Sequence, residues 1–326
     1  MLKIAMLSKW HVHAAGYARE FNQTGKSKVV AVWDEEETRG EKWAEELGVP
    51  FYASLDELLA SDIDAVCVTT PTTMHREVIL KAAKAGKCIF TEKALETTTE
   101  EALKLADAIR ASGKTFGISF PHKCNPVYRY IKARIAEGAF GKISLFRYRN
   151  AHNGVSGNWL PEYWFDGSKA GGGAMMDLGA HPMYLSRWML GKPVRIQSMF
   201  NARTGHAVED NSVCTIEFEN KAIAVAETGL VSGMNPSTME VYGTKGVIIC
   251  EDGKVRLRTR DIAKFVEGGW AEAAKLPEDQ PLPLRQFIDS VLYGKPVSFG
   301  LKEGRELTEL MENAYIADRE KREVRF

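Results

Sequence analysis

The chain has 326 residues, of which 44% are hydrophobic and 26% charged, proportions typical of a folded globular protein and, at this length, of two domains. Its 43 Lys and Arg residues balance its 43 Asp and Glu residues, so it lacks the excess of positive charge that nucleic-acid binding requires. No run reaches the roughly 18 apolar residues of a membrane span, and the five cysteines are widely spaced, as expected of free thiols in a reducing cytoplasm. We therefore expect a cytoplasmic protein that binds neither nucleic acid nor a membrane.

The first 120 residues alternate short apolar runs with longer amphipathic stretches. The apolar runs predict strands at 3–7, 28–33, 65–69, 87–90 and 115–119. The amphipathic stretches predict helices at 13–21, 38–47, 74–85 and 99–112. Apolar strands separated by helices indicate an α/β fold with a doubly wound, parallel, Rossmann-type sheet. Ligands of such a sheet bind at the carboxyl ends of its strands, so the residues after each strand are candidate site residues.

The turn after the first strand lacks the glycines that usually contact a dinucleotide. A Gly-x-Gly-x-x-Gly turn lets the backbone approach the pyrophosphate, but Ser8, Trp10 and His13 occupy its three glycine positions. The N-terminal N–H groups of the next helix can still bind phosphate. We count these three residues and His11 as candidate cofactor contacts, although the turn alone is a weak signal.

Acidic residues follow the second strand. Asp34 lies where a carboxylate can accept hydrogen bonds from the cofactor ribose, and three glutamates come directly after it. Four consecutive carboxylates would repel a 2′-phosphate, which favours NAD over NADP. Alternatively, Asp34 caps the next helix, whose N-terminus attracts the glutamates. Both roles can coexist.

The third and fourth strands also end in polar residues. Thr70 follows the third strand, and Glu92 and Lys93 follow the fourth. A lysine near low-dielectric walls and a second cation can have its pKa lowered into a range useful for proton transfer. The alternative is a surface lysine that pairs with Glu92.

The pattern changes near residue 120. One helix is predicted at 127–137, and short turns join strands predicted at 143–150, 195–200, 212–219, 222–227, 239–242, 247–250 and 254–258. This order is typical of an α+β domain with a large open, mainly antiparallel sheet. We therefore predict one domain at 1–120 and a second at 121–326.

The segment 159–191 carries the densest functional signal. An aromatic stretch with Trp159 and Trp164 leads through three glycines to Asp177 and His181, which share a face if both lie on one helix. A carboxylate beside an imidazole suits proton transfer on a hydroxyl group. The alternatives are an ordinary polar pair on a helix and aromatic residues that belong to the core.

Metal binding is a third interpretation of the polar residues. It would use His11, His13, His152 or Glu162, but their spacing matches no known ligand set. We therefore predict no metal.

Three segments in register resemble the glucose-fructose oxidoreductase/inositol dehydrogenase/MocA (Gfo/Idh/MocA) family. Residues 69–75 are similar to its T-P-x-x-x-H turn, residues 86–93 to its G-K-x-V-x-x-E-K-P segment, and residues 171–181 to its G-G-G-x-x-x-D-x-G-x-H signature. The resemblance implies a Rossmann domain that binds NAD and a larger domain for substrate binding and oligomerisation. It further implies a homodimer or homotetramer through the open sheet, and hydride transfer to or from a hydroxyl-bearing carbon of a sugar, inositol or related polyol.

The resemblance also implies roles by position. Lys93 would hydrogen-bond the reacting hydroxyl, His181 would be the general base in oxidation, and Asp177 would orient the substrate. Asp34 would contact the ribose. The residues implied to line the cofactor channel are Thr70, Pro71, His75 and Glu92. The residues expected around the substrate are His122, Lys123, His152, Trp159, Trp164 and Tyr184.

Some residues depart from the family pattern. Ala94 replaces the usual proline after Lys93, Lys123 stands where an arginine is common, and Tyr184 replaces an aspartate. With the missing glycines, these departures leave two alternatives open. One is a lyase or glycosidase that uses tightly bound NAD without net redox change, and the other is a non-catalytic ligand sensor.

Overall fold

The computed structural model describes residues 1–234, 237–273 and 275–326. The chain forms two compact units. The first comprises Met1–Phe120 and Pro281–Thr308, and the second comprises Pro121–Gln280 and Glu309–Phe326. No helix within the described ranges combines the length and apolar character of a membrane span.

The first unit contains the predicted parallel sheet. Its strands are β1 (Leu2–Leu7), β2 (Ser27–Trp33), β3 (Ala65–Val68), β4 (Cys88–Thr91) and β5 (Phe116–Ile118), in the order β2-β1-β3-β4-β5. The helices between them are α1 (Ala14–Gln23), α2 (Glu37–Leu47), α3 (Leu55–Ala60), α4 (His75–Lys84) and α5 (Thr99–Ser112). The predicted Rossmann-type topology is therefore confirmed. Of the helices between these strands, α3 was missed, a helix of six residues in which the Ser54 hydroxyl accepts a hydrogen bond from the Glu57 N–H at 3.3 Å.

The second unit contains a nine-stranded sheet. Its strands are β6 (Ile143–Ala151), β7 (Pro193–Asn201), β8 (Asn211–Phe218), β9 (Ile223–Gly229), β10 (Thr238–Gly243), β11 (Gly246–Glu251), β12 (Lys254–Thr259), β13 (Ala271–Glu272) and β14 (Val324–Arg325). The order is β13-β12-β11-β10-β6-β9-β8-β7-β14, and β6 pairs with β9 in parallel while the other neighbours are antiparallel. The predicted open, mainly antiparallel sheet is confirmed.

Helices cover one face of this sheet. The helices of this unit are α6 (Pro126–Ala136), α7 (Gly167–Ala170), α8 (Ala174–Asp177) and α9 (Ala180–Leu190), of which α8 packs against β8 and β9 and α9 against β6 and β9. Strand residues alternate accordingly: Phe146 and Tyr148 are fully buried, whereas Met199 and Ile223 are 72% and 46% exposed.

The C-terminal segment is divided between the two units. One division falls between Phe120 and Pro121, and Pro281–Thr308 belongs to the first unit. This segment includes α10 (Pro283–Tyr293) and the start of α11 (Leu301–Glu320). Phe287 of α10 packs against Phe90 of β4, with ring centroids 5.6 Å apart. The amphipathic pattern of α10 indicates a buried face, but it does not indicate which sheet covers that face.

Candidate functional site

The turn between β1 and α1 is ordered by side chains instead of glycines. Ser8 adopts a φ of 77°, a left-handed conformation that glycine usually supplies, and its hydroxyl accepts a hydrogen bond from the Trp10 N–H at 3.0 Å. The Thr69 hydroxyl donates to the Ser8 carbonyl at 2.6 Å, and the His11 N–H donates to the Thr69 carbonyl at 3.1 Å. This turn is therefore anchored to the end of β3.

Asp34 anchors the same turn from β2. Its buried carboxylate accepts hydrogen bonds from the backbone N–H groups of Lys9 and Glu36, at 2.8 and 2.9 Å, and from the guanidinium of Arg39 at 2.5 and 3.1 Å. Glu36, not Asp34, is the N-cap of α2, so the capping alternative is wrong for Asp34. Its carboxylate oxygens already have partners within the protein.

Arg39 was missed by sequence reasoning. Besides Asp34, it contacts the Glu35 carboxylate at 2.6 Å and the Ser8 hydroxyl at 3.4 Å. Burial and the charge of Asp34 raise the pKa of Glu35. The row of carboxylates therefore surrounds a cation, which the count of acidic residues did not anticipate. The sequence signal that could have identified Arg39 was its position five residues after Asp34, within the first turn of α2.

Glu92 is a fully buried carboxylate after β4. Its Oε1 lies 2.8 Å from His13 Nδ1 and accepts a hydrogen bond from the Tyr17 hydroxyl, and its Oε2 accepts one from the Lys93 N–H at 3.0 Å. Burial opposes ionisation of this group, but the neighbouring His11, His13 and Lys93 hold the pKa of Glu92 well below its usual range. The structure thus places an ionised carboxylate directly beside the turn that lacks glycines.

Lys93 and His75 are also buried. Lys93 is only 4% exposed, so the alternative of a surface lysine is wrong. The imidazole of His75 lies between two carbonyl oxygens, with Nδ1 2.8 Å from that of Ala94 and Nε2 3.2 Å from that of Thr70. Burial lowers the pKa of His75. This imidazole links the segments that follow β3 and β4.

A second polar cluster lies in the second unit around His181, the second residue of α9. The Tyr184 hydroxyl, one turn further along α9, lies 2.8 Å from His181 Nδ1 and accepts a hydrogen bond from the His122 N–H at 3.2 Å. The ring of His122 stacks on that of His181, with centroids 4.0 Å apart. Tyr148 extends the cluster, because its hydroxyl lies 3.1 Å from His122 Nδ1. The cluster can therefore hold and relay protons through imidazoles and hydroxyls.

Asp177 and His181 lie on two helices rather than the one expected. Asp177 ends α8, and two residues separate it from α9. The Asn150 amide holds this junction by donating a hydrogen bond to the Leu178 carbonyl at 3.1 Å. Burial lowers the pKa of His152, and the negative charge of Asp177 opposes that shift. His152 is therefore an electrostatic neighbour of Asp177.

Two of the three glycines before α8 allow close packing. A Cβ added to Gly172 would lie 2.0 Å from the Tyr315 hydroxyl, and one added to Gly173 would lie 2.0 Å from the Glu209 carbonyl oxygen. The Glu209 carboxylate accepts hydrogen bonds from the N–H groups of Gly173 and Met175 and from the Tyr315 hydroxyl, at 2.9, 3.0 and 2.6 Å. Sequence reasoning missed both Glu209 and Tyr315, since each lies far along the chain from the glycines.

The remaining predicted substrate residues fall into different environments. The Lys123 ammonium lies 5.9 Å from the centre of the Tyr184 ring, within the His181 cluster. Trp159 is 51% exposed and its ring lies 4.6 Å from that of His152, whereas Trp164 is buried. Exposure suits Trp159 better than Trp164 for contact with a ligand.

Two family models match the chain. The model of the oxidoreductase family with an NAD-binding Rossmann fold matches residues 11–120, and that of the GFO/IDH/MocA C-terminal domain matches residues 128–249. These ranges cover more than half of the chain. The chain belongs to the Gfo/Idh/MocA oxidoreductase family.

Relatives of this Gfo/Idh/MocA protein include named enzymes. The scyllo-inositol 2-dehydrogenase (NAD(+)) of Bacillus subtilis (strain 168) is 29% identical over 68% of this chain and 66% of its own length. The 1,5-anhydro-D-fructose reductase of Ensifer adhaerens is 28% identical over 74% of this chain and 75% of its own length. Among solved structures, GenD2 from gentamicin A biosynthesis, in complex with NAD, is 25% identical, with a TM-score of 0.83 over 100% of this chain and 96% of that one.

Proposed function

We propose that the protein is an NAD-dependent oxidoreductase that transfers a hydride between the nicotinamide ring and a hydroxyl or carbonyl carbon of a sugar, inositol or related polyol. The observation that carries the proposal is the buried imidazole of His181, with Nδ1 2.8 Å from the Tyr184 hydroxyl, in a chain of the Gfo/Idh/MocA family. The substrates in the names of the inositol and anhydrofructose relatives support the substrate class.

A cofactor contact is supported by an unpaired hydroxyl. The buried Oγ1 of Thr70, after β3, has no hydrogen-bond partner among the residues that the structure describes. A buried polar atom without a partner is costly, and a bound ligand can supply one. We propose that Thr70 contacts the cofactor, with Pro71, His75 and Glu92 beside it. When bound, NAD accepts or donates the hydride.

The proton that accompanies the hydride needs a protein acceptor. Oxidation of a hydroxyl releases a proton and reduction of a carbonyl takes one up, and we assign this exchange to His181. Lys93 is proposed to hydrogen-bond the reacting hydroxyl and Asp177 to orient the substrate. A positioned general base contributes about 10²- to 10⁴-fold to the rate.

Charge around Asp34 supports NAD over NADP. Three carboxylates, those of Asp34, Glu35 and Glu36, outnumber the single guanidinium of Arg39 in this cluster. We expect NADH to bind more tightly than NADPH in titrations followed by tryptophan fluorescence. In Arg39→Ala, NADPH affinity should fall more than NADH affinity, and tighter binding of NADPH by the wild type would overturn the preference.

The catalytic roles are tested by two variants and a control. In a screen of polyols with NAD, and of the corresponding carbonyl compounds with NADH, His181→Ala and Lys93→Ala should each lower kcat at least about 100-fold while NADH still binds. His206→Ala is the matched control, because this imidazole stacks on Phe165 elsewhere in the second unit. Wild-type rates in His181→Ala would contradict the mechanism, and failure to bind either cofactor would contradict the oxidoreductase proposal. NAD that copurifies and does not exchange would favour the lyase.

Substrate recognition is proposed for two groups of residues. His122, Lys123 and Tyr184 surround His181, and their donors and acceptors suit the hydroxyl groups of a polyol. His152 and Trp159 form the second group, in which the exposed indole can pack against the apolar face of a sugar ring. A contact between Trp164 and the substrate remains a prediction.

The oligomeric state and location are also proposals. Met199, Val213 and Ile223 are exposed apolar residues on the open sheet, and they support a homodimer or homotetramer through that face. Light scattering of the wild type and of Met199→Glu tests this interface. The five cysteines are free thiols, which supports a reducing compartment such as the cytoplasm.

A further inference from the structure

Two imidazoles and a carboxylate converge beside the turn between β1 and α1. The candidate ligand atoms of His11, His13 and Glu92 all lie within 4.8 Å of one another. His13 Nδ1 is 2.8 Å from one carboxylate oxygen, and His11 Nε2 is 4.0 Å from the other. Sequence reasoning weighed His11 and His13 as ligands only together with His152 or Glu162, because Glu92 lies far along the chain.

The donor set and its spacing fit a transition-metal ion. Imidazole nitrogens and a carboxylate oxygen bind Zn²⁺ at about 2.0–2.2 Å, which places ligand atoms of a tetrahedral site about 3.4 Å apart. The two distances here, 2.8 and 4.0 Å, lie on either side of that value. Since the whole cluster lies within 4.8 Å, its ligand atoms would have to approach one another by at most about 1.4 Å to reach tetrahedral spacing.

The ring protons can be accommodated. His11 Nδ1 accepts a hydrogen bond from the His13 N–H at 3.2 Å, and a metal on Nε2 would move the ring proton to Nδ1 and break this long bond. The His13 side chain is 49% exposed, so its ring proton can move to Nε2 and leave Nδ1, which faces Glu92, to bind the metal. Neither change leaves a buried charge without a counter-charge.

Neighbouring groups hold the carboxylate in place. The Tyr17 hydroxyl and the Lys93 N–H both donate to Glu92, and Tyr17 lies 2.7 Å from the Ser119 hydroxyl. Such outer contacts fix the orientation of metal ligands. Exposure differs sharply across the cluster, since His11 and Glu92 are buried and His13 faces solvent. An ion could enter on the His13 side and retain water there.

We propose that His11, His13 and Glu92 bind one divalent transition-metal ion of the Zn²⁺ class. The site belongs to the first unit alone and does not depend on the proposed redox function. With two nitrogens and one oxygen from the protein, it leaves at least one coordination position for water or an anionic ligand.

Titration of untagged, chelator-treated protein with Zn²⁺ tests the site. Isothermal titration calorimetry should show one equivalent bound by the wild type, and Co²⁺ should give a visible absorption band that Zn²⁺ removes. His13→Gln should weaken binding at least about 100-fold, and Tyr17→Phe about 10- to 100-fold. Because His13 is half exposed, its replacement should leave the far-UV circular dichroism unchanged.

His206→Gln is the matched control, since it removes an imidazole from the second unit. It should bind Zn²⁺ as the wild type does. Absence of a saturable site in the wild type, or equal affinity in the wild type and His13→Gln, would overturn the proposal. NADH titration of the metal-free wild type tests the oxidoreductase function separately: NADH binding without Zn²⁺ binding would overturn only the metal site, and Zn²⁺ binding without NADH binding would overturn only the redox proposal.

Discussion

Glu96 should destabilise the folded protein at neutral and alkaline pH, so its replacement by glutamine should be stabilising there. The side chain is only 5% exposed, and its Oε2 has no hydrogen-bond partner among the described residues. Burial, together with the nearby Glu101, raises the pKa of Glu96 from 4.5 to about 7, although the Thr97 N–H and Arg76 act in the opposite direction. The folded state therefore resists ionisation of a carboxyl group that ionises readily in the unfolded chain.

The sign and size of the effect follow from linkage. A carboxyl group with a raised pKa binds a proton more tightly when folded, so stability falls as pH rises from about 4.5 to about 7 and the loss is complete above that range. A rise of about 2.5 pKa units corresponds to about 3 kcal/mol. Partial solvent screening reduces this value, so we expect about 2 kcal/mol at pH 8 and below about 1 kcal/mol at pH 5.

Urea unfolding of wild-type protein and Glu96→Gln at pH 5 and pH 8 measures this difference. The variant should gain stability at pH 8 and much less at pH 5. Glu100→Gln is the control, because Glu100 is 77% exposed and pairs only with Lys104 among the ion pairs of the described residues. A Glu96→Gln gain of the same size at both pH values, or a loss at pH 8, would refute the reasoning.

Three further substitutions probe the second cluster, the glycine loop and α1. Tyr184→Phe removes the hydroxyl that contacts His181. It should lower kcat by about 5- to 10-fold in steady-state kinetics, with little change in the Kd of NADH in fluorescence titrations. A fall in NADH affinity alone would argue against a positioning role. Gly173→Ala should cost about 2 kcal/mol or more in urea unfolding, because its Cβ would collide with the Glu209 backbone, and wild-type stability would show that this loop can move away. Gly16→Ala, on α1 with nothing within 4 Å of the added Cβ, should instead stabilise by about 0.5–1 kcal/mol, and a loss of stability would reveal an unseen steric contact.

Local patterns in the sequence predicted the strands of the first unit and most strands of the second, but not the helices α10 and α11 or the strands β13 and β14. The alternation of apolar runs with amphipathic stretches predicted all five parallel strands of the first unit within one or two residues, because a strand buried on both faces must be continuously apolar. The short turns after residue 190 likewise predicted the antiparallel strands. The family motifs identified His181 and Lys93 as candidate site residues, and both side chains are buried.

Only the tertiary structure decided which distant residues meet. Glu92 lies beside His13 and Tyr17, and α10 packs on a sheet whose last strand ends more than 150 residues earlier. Such pairings depend on how the sheet stacks its strands and on which apolar faces cover each other, and neither leaves a periodic trace in one sequence. Even the contact between Arg39 and Asp34, five residues apart, was not predicted. It depends on the fold of the first turn of α2, which positions the guanidinium beside the end of β2. In the sequence, residues 34–37 are four consecutive carboxylates. In the folded chain, the Arg39 guanidinium contacts two of them, Asp34 and Glu35.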